Sequence, residues 1–136
     1  MSDPAAVVRR YFEIVSDLGS SVDALVEVLH PDARLIEHPN AISPRGATRD
    51  RDGIVAAFLA GKELLSAQAI ELHELLISGD RVAARATWRG TIGQATGRFP
   101  AGTELVAHVA GMLTVEDGRI REHETFDCYE PLPPAR

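Results

Sequence analysis

The chain has a single cysteine, Cys128, among its 136 residues, so it cannot form an internal disulfide bond. Chains without a disulfide framework are typical of a reducing compartment, and we expect a cytoplasmic location. The opening residues, "MSDPAAVVRR", lack the charged and then apolar layout of a signal peptide. The longest apolar run, in "GIVAAFLAG", is about half the roughly 20 residues of a membrane-spanning helix, so we expect a soluble protein.

Basic residues are outnumbered by acidic ones. The chain carries 14 Lys and Arg against 20 Asp and Glu, which gives a net charge of -6. Binding to nucleic acid depends on Lys and Arg that neutralise phosphates, so this charge argues against a nucleic-acid partner. The arginines of "SPRGATRDRD" alternate with aspartates, as is typical of a solvated loop.

Motifs for metals, nucleotides and covalent catalysis are missing from the sequence. It contains no HExxH, CxxC or His-x-His pattern, and its glycines lack the GxGxxG spacing of a dinucleotide site. No GxSxG motif occurs, and Cys128 has no evident activating partner. We therefore expect neither a metal nor a cofactor.

The residues that are present indicate a globular protein with helices in its first half. The composition is 45% hydrophobic and 25% charged, and the length fits one domain over residues 1–136. Apolar residues at spacings of three and four predict a helix over residues 3–18 and a second over 22–29, ended by a proline. A third helix follows a capping aspartate, Asp50 or Asp52.

The second half of the sequence changes to β-rich runs. An earlier run, "DARLIEHP", predicts one strand between the second and third helices. Helices followed by a contiguous antiparallel sheet indicate an α+β fold: a cone-shaped curved antiparallel sheet covered by three N-terminal helices, enclosing a pocket. The predicted strands of the antiparallel meander span residues 69–78, 81–92, 104–115 and 119–129.

Four segments, "VVRRYF", "DARLIEHP", "PRGATRDRDGIVAAF" and "DGRIREHETFDCYEP", occur in the order found in a known superfamily. Together they resemble the nuclear-transport-factor-two-like superfamily, which includes SnoaL-like polyketide cyclases, ketosteroid isomerases and limonene epoxide hydrolases. The resemblance implies a homodimer through the sheet face and a pocket for a small hydrophobic molecule. It also implies cofactor-independent proton transfer that isomerises or cyclises an apolar carbonyl compound. The alternative is a non-catalytic module that binds a small hydrophobic ligand or a protein partner.

The resemblance to ketosteroid isomerases assigns roles to two residues. The position of the isomerase's general base, directly before a proline, falls on His38, which implies that His38 faces the cavity and Glu37 faces out. A histidine titrates near neutral pH and suits proton transfer, although His38 could also be a strand-end residue bonded to a backbone carbonyl. Tyr11 matches the tyrosine whose hydroxyl donates a hydrogen bond to the oxyanion in these isomerases. The alternative is that Tyr11 is a plain aromatic residue on the buried face of its helix.

Two relatives fit poorly. The second oxyanion donor of the isomerase should fall near Gly111, where no carboxyl exists, so a faithful ketosteroid isomerase is not expected. The arginine and aspartate of the epoxide hydrolases fall around Ala86 and Trp88, and that dyad is missing.

In the last predicted strand the resemblance implies two further acid/base candidates. Glu124 matches a catalytic carboxylate of the epoxide hydrolases, and either Glu124 or Asp127 could match the acid/base aspartate of the SnoaL-like cyclases. In a regular strand Glu124 shares a face with Ile120 and Phe126, while Asp127 lies on the opposite face. The two apolar residues favour Glu124 as the inward group, but a β-bulge would reverse the end of the strand.

The remaining candidates belong to the cavity wall or the outer face. His108 lies opposite the apolar alternation of its strand and reads as interface or pocket rim, and His73 is similarly ambiguous. His30 reads as a helix-end residue. We expect the ligand to contact Phe58, Trp88, Val109, Leu113 and Phe126.

Overall fold

A computed structural model describes residues 3–97 and 99–133 of the chain. The described residues form three helices, each begun by a side chain that accepts a hydrogen bond from a backbone N–H in the first turn. The capping residues are Asp3, Ser21 and Asp50, which confirms the predicted helix starts to within a few residues. The helices are α1 (Pro4–Ser16), α2 (Val22–Val28) and α3 (Arg51–Leu64).

Six strands complete the fold, two of them between α2 and α3 and four after α3. They are β1 (Leu29–Glu37), β2 (Ala47–Arg49), β3 (Leu65–Ser78), β4 (Arg81–Ile92), β5 (Glu104–Glu116) and β6 (Arg119–Tyr129). The spatial order is β2-β1-β6-β5-β4-β3, so β3 to β6 form the predicted antiparallel meander. β1 runs parallel to β6, which makes the sheet mixed, and the short edge strand β2 was not predicted.

The helices pack on one face of this curved sheet, which we call the inner face, and the opposite face is the outer face. The core between them is apolar, and burial of each such side chain stabilises the fold by about 1.5–3 kcal/mol. Its most deeply buried members come from both layers: Val8, Leu25, Leu29, Val82, Leu113 and Ile120. Together these elements confirm the α+β fold.

A β-bulge in β6 decides which residues of that strand face inward. Val115 pairs with Ile120 and Thr114 pairs with Glu122, so Arg121 has no partner in the register. Because the alternation restarts after the bulged residue, Ile120 and His123 are both buried on the inner face. From His123 onwards, every second side chain of β6 points to the inner face.

No helix among the described residues is both long and apolar enough to cross a membrane.

Candidate functional site

A cavity of about 340 Å³ lies between the three helices and the inner face of the sheet. Aromatic side chains form much of its wall, namely those of Tyr11, Phe12, Phe58, Trp88 and Tyr129. Polar side chains also line the cavity, among them those of Glu37, Gln68 and Asp127. The cavity therefore combines broad ring surfaces with a small number of oriented polar atoms, as ligand sites commonly do.

The Trp88 ring is fixed by its neighbours. Its indole Nε1 donates to Oε1 of Gln68 at 2.9 Å, and the Gln68 amide donates to the carbonyl of Val15 at 2.9 Å. The ring also covers Gly90, where a Cβ would lie 2.4 Å from it. Tyr129 meets Trp88 edge to face at a centroid distance of 6.2 Å, so the two rings form a rigid corner.

Asp127 is a carboxylate of the cavity wall near these two rings. Thr125 Oγ1 donates to Asp127 Oδ1 at 2.6 Å, and both side chains line the cavity. Burial raises the pKa of Asp127, the Thr125 hydrogen bond opposes that rise, and the nearby charge of Glu37 adds to it. A carboxylate that is disfavoured as an anion accepts a proton more readily than an exposed one.

Glu37 and Tyr129 complete an acidic end of the cavity. Asn40 Nδ2 donates to Glu37 Oε2 at 2.8 Å and also to the carbonyl of His38 at 2.9 Å, which fixes the end of β1. Burial, then Asp127 and then Glu37 raise the pKa of the Tyr129 phenol, so it stays protonated at neutral pH. New negative charge is disfavoured at this end.

Elsewhere in the cavity wall, Tyr11 and His123 form a hydrogen-bonded pair. Tyr11 Oη lies 2.9 Å from His123 Nδ1. Burial lowers the pKa of His123 to about 4 and raises the pKa of Tyr11, so both side chains are neutral at pH 7. This end of the cavity carries hydroxyl and imidazole groups without a formal charge.

Lys62, the cationic residue of the cavity wall, is engaged with the protein itself. Its ammonium donates to the carbonyls of Leu18 at 2.5 Å and Ser20 at 2.6 Å, and lies 4.7 Å from the centroid of the Phe58 ring. It joins α3 to the loop between α1 and α2.

His38 lies on the outer face, so the prediction that it faces the cavity and Glu37 faces out is wrong. His38 Nε2 lies 2.7 Å from Glu124 Oε2, and its ring stacks on Phe126 at 4.4 Å. The reason is the parallel register, in which Glu37 lies beside the buried Thr125. Alternation along β1 then directs the next residue outward.

The prediction that Glu124 and Phe126 face the cavity is also wrong. Glu124 and Phe126 point to the outer face, where Phe126 is 42% exposed, because the bulge at Arg121 reverses the alternation inferred from Ile120. Asp127, the other acid/base candidate, lines the cavity.

Four of the remaining predicted residues lie in the cavity wall: Tyr11, Phe58, Trp88 and Val109. Leu113 lies on the inner face but is fully buried in the core and is not part of that wall, because the helices cover that part of the sheet.

Sequence reasoning did not select Glu37, His123 or Tyr129 as site residues. Tyr129 lies two residues after Asp127 and His123 lies four residues before it, so both share the face of Asp127 in β6. No sequence pattern marks the bulge itself. The resemblance assigns the general base to the neighbouring His38, and this assignment implies that Glu37 faces out.

The other histidines lie outside the cavity wall. His73 Nε2 contacts Thr87 Oγ1 at 2.7 Å, and His108 Nε2 lies 2.9 Å from Glu130 Oε2. Within residues 3–97 and 99–133, His30 forms the one three-residue group that could converge on a metal ion, with Glu116 and Asp117. His30 Nδ1 accepts from the Asp32 N–H at 3.0 Å, so the neutral ring carries its proton on Nε2 and faces the carboxylates as a donor.

The α+β cone with an aromatic cavity defines the class of protein, and a family comparison identifies the family. The model of the SnoaL-like domain matches residues 8–123, so the chain belongs to that family.

Solved structures agree with this fold. IdmH from Streptomyces antibioticus, a proposed polyketide cyclase, shares 26% identity over 92% of this chain and 91% of its own, with a TM-score of 0.75. A proposed SnoaL-like polyketide cyclase from Jannaschia sp. CCS1 shares 21% identity over 91% and 84%, with a TM-score of 0.73. A proposed polyketide cyclase from Acidithiobacillus ferrooxidans shares 18% identity over 93% and 89%, with a TM-score of 0.73. The last two show likeness of fold alone. Comparison with curated proteins gives no match.

Proposed function

We propose that this protein is an enzyme that moves a proton on a small apolar carbonyl compound and thereby isomerises or cyclises it. The observation that carries the proposal is Asp127, a carboxylate with a raised pKa in a cavity walled by aromatic rings. General acid/base groups work best when their pKa lies close to the operating pH, and burial moves an aspartate in that direction.

The chemistry follows from the two ends of the cavity. The Asp127 carboxylate removes a proton from the carbon next to a carbonyl, and the resulting enolate oxygen accepts a hydrogen bond from the Tyr11 hydroxyl at the uncharged end. In an isomerisation, protonated Asp127 returns the proton to a different carbon. In a cyclisation, the enolate carbon attacks a second carbonyl of the same molecule, and Asp127 protonates the alkoxide that forms.

The similarity to IdmH supports a polyketide-like substrate for this chemistry. Such substrates carry several carbonyls along one carbon chain, which makes the intervening hydrogens acidic. The aromatic corner of Trp88 and Tyr129 offers flat surfaces on which unsaturated rings can stack.

The test is hydrogen exchange on a small two-ring ketone, 2-tetralone, followed by proton NMR in D₂O. We expect the protein to accelerate exchange at the carbon next to the carbonyl. Asp127→Asn should reduce that acceleration about 100-fold or more, because it removes the base and keeps the acceptor oxygen for Thr125.

Glu124→Gln is the matched control, since it changes a carboxylate of the same strand on the outer face. It should leave the exchange rate within about twofold of the parent, because this partly exposed side chain does not line the cavity. Equal rates for Asp127→Asn and the parent protein would rule out Asp127 as the base.

The alternative is a binding module for an apolar ligand, and the full engagement of Lys62 and Gln68 with protein groups favours it. These two polar residues have little capacity left for a substrate. Saturable binding of 2-tetralone without any exchange above the buffer rate, across further ketones, would support binding without catalysis.

We also propose that the outer face contacts a second copy of the chain. Apolar residues form a shallow groove on this face, in which Leu76 is 60% exposed beside Met112 and Phe126. Sedimentation equilibrium of the parent protein and of Leu76→Asp tests this. A dimer that dissociates in the variant supports the contact, and a monomeric parent protein contradicts it.

A further inference from the structure

Tyr11 and His123 form a buried pair whose geometry is held from several sides. The Tyr11 side chain is 3% exposed and His123 is 7% exposed. The imidazole meets the Tyr11 ring at 5.4 Å and 89° and the Phe12 ring at 5.7 Å and 84°. Two perpendicular aromatic contacts and the hydrogen bond through Nδ1 therefore fix the plane of the imidazole.

The other ring nitrogen of His123, Nε2, is buried and has no hydrogen-bond partner among the described residues. It points at Gly111 on the neighbouring strand, where a Cβ would lie 3.2 Å from Nε2. Glycine gives the ring room and offers no side-chain acceptor. The position at which the resemblance to ketosteroid isomerases calls for a second donor is thus filled by the edge of an imidazole.

This environment discriminates between the two neutral forms of His123. A proton on Nε2 would be a buried N–H without an acceptor, whereas a proton on Nδ1 is donated to Tyr11 Oη. Buried N–H groups without an acceptor are rare in native structures, because a buried donor that makes no hydrogen bond loses the hydration it has in the unfolded chain. The form with the proton on Nδ1 is favoured.

We propose that His123 is a positioning residue that donates from Nδ1 to Tyr11 Oη and so leaves the Tyr11 hydroxyl proton free to point into the cavity. If Tyr11 instead donated to His123, the cavity would meet only its oxygen lone pairs. The pair thus makes Tyr11 a donor, in the chain Nδ1–H to Oη–H to the ligand oxygen. Successive hydrogen bonds of this kind polarise and strengthen one another.

The charges that line the cavity indicate which ligand atom accepts the hydrogen bond from Tyr11. This inference rests on the proposed function. The carboxylates of Glu37 and Asp127 both line one end of the cavity and make that end unfavourable for a developing oxyanion. The carbonyl oxygen of the substrate therefore binds at Tyr11, and the carbon that loses its proton lies towards Asp127. The substrate class is a ketone or enolisable carbonyl compound bound in that orientation.

The first test measures the proton directly and needs no substrate. In uniformly ¹⁵N-labelled protein at pH 7, long-range ¹H–¹⁵N correlations distinguish the two neutral forms of a histidine. We expect His123, assigned by the loss of its signals in His123→Asn, to carry its proton on Nδ1. A proton on Nε2, or a doubly protonated ring, overturns the proposal and leaves the role of Asp127 untouched.

The second test uses 2-naphthol, a ring hydroxyl compound that mimics an enol, and measures its affinity by fluorescence titration. Tyr11→Phe and His123→Leu should each weaken binding about tenfold, as expected for one lost hydrogen bond to the naphthol oxygen. His123→Asn places an amide N–H near the Nδ1 position and should restore most of the affinity.

A merely structural role for His123 predicts a different order of variants. Equal affinity for His123→Leu and the parent protein, or equal loss in His123→Asn and His123→Leu, would contradict the positioning role. Circular dichroism identifies any variant that fails to fold, and the NMR measurement on the parent protein decides the matter in that case.

Discussion

The two faces of the sheet carry side chains of the same chemistry in different environments. On the inner face, His123 is buried against Tyr11, and Asp127 lies among aromatic rings. On the outer face, His38 stacks on Phe126 and pairs with Glu124, and both members of the pair are about one third exposed. Burial shifts the protonation of the inner groups, whereas the outer groups have water and an opposite charge nearby.

The comparison teaches that a histidine beside a carboxylate and an aromatic ring is not by itself an active site. His38 and Glu124 are both acid/base candidates by sequence, although they lie on a surface that water reaches. The distinguishing property is removal from water, which raises the free energy of the charged form. Whether a side chain of the sheet is removed from water depends on the face on which it lies.

The largest difference between the faces concerns stability. Leu113→Ala on the inner face should lower the free energy of unfolding by about 2–5 kcal/mol, because it leaves a hole in a fully buried part of the core. Leu76→Ala on the outer face should change it by less than about 0.5 kcal/mol in a monomer. Urea denaturation of both variants measures the two values.

The outer-face value also sharpens the dimer proposal. A loss in Leu76→Ala that grows with protein concentration would indicate that the outer face is buried between two copies. Equal losses for the two variants at low concentration would contradict the assignment of the faces.

The second difference concerns acid stability. Because burial lowers the pKa of His123 from 6.5 to about 4, the unfolded chain takes up a proton first as the pH falls. His123 therefore does not lower the free energy of unfolding above about pH 6.5. As the pH drops from there towards 4, His123 lowers the free energy of unfolding by up to about 3 kcal/mol.

Urea denaturation at several pH values measures this dependence. His123→Asn should flatten it. If His123→Asn and the parent protein lose stability equally between those pH values, His123 is not the group that titrates.

The smallest difference concerns the two carboxylates of β6. The raised pKa of Asp127 means that its charged form is disfavoured in the fold, so Asp127→Asn should leave the free energy of unfolding at pH 7 unchanged or higher. Glu124→Gln weakens a partly exposed ion pair and should lower it by about 1 kcal/mol or less. Thermal denaturation compares both variants, and a clear loss in Asp127→Asn alone would contradict the assigned environments.

Much of the fold could be predicted because its signals are local. The spacing of apolar residues located α1, and the turn residues between the β-rich runs located β3 to β6 to within a few residues. Strand β2 was missed because its three residues are too few for a pattern and are held by pairing with β1. The parallel contact of β1 with β6 joins distant segments and has no local signal.

The candidate site was predicted in part for the same reason. Tyr11, Phe58, Trp88 and Val109 face the cavity because the helix and strand periods that carry them are regular. Glu124 and His38 were directed inward wrongly, because one bulged residue and one strand register set their direction. A shift of one residue moves every following side chain to the other face.

The sequence by itself determined the class of the fold, since hydrophobic periodicity and turn chemistry act between near neighbours. It also supplied the acid/base candidates. The tertiary structure alone decided which of them leave water, because the bulge at Arg121 and the register of β1 are settled by packing between distant strands. Asp127 and His123 acquire their shifted pKa values from that packing.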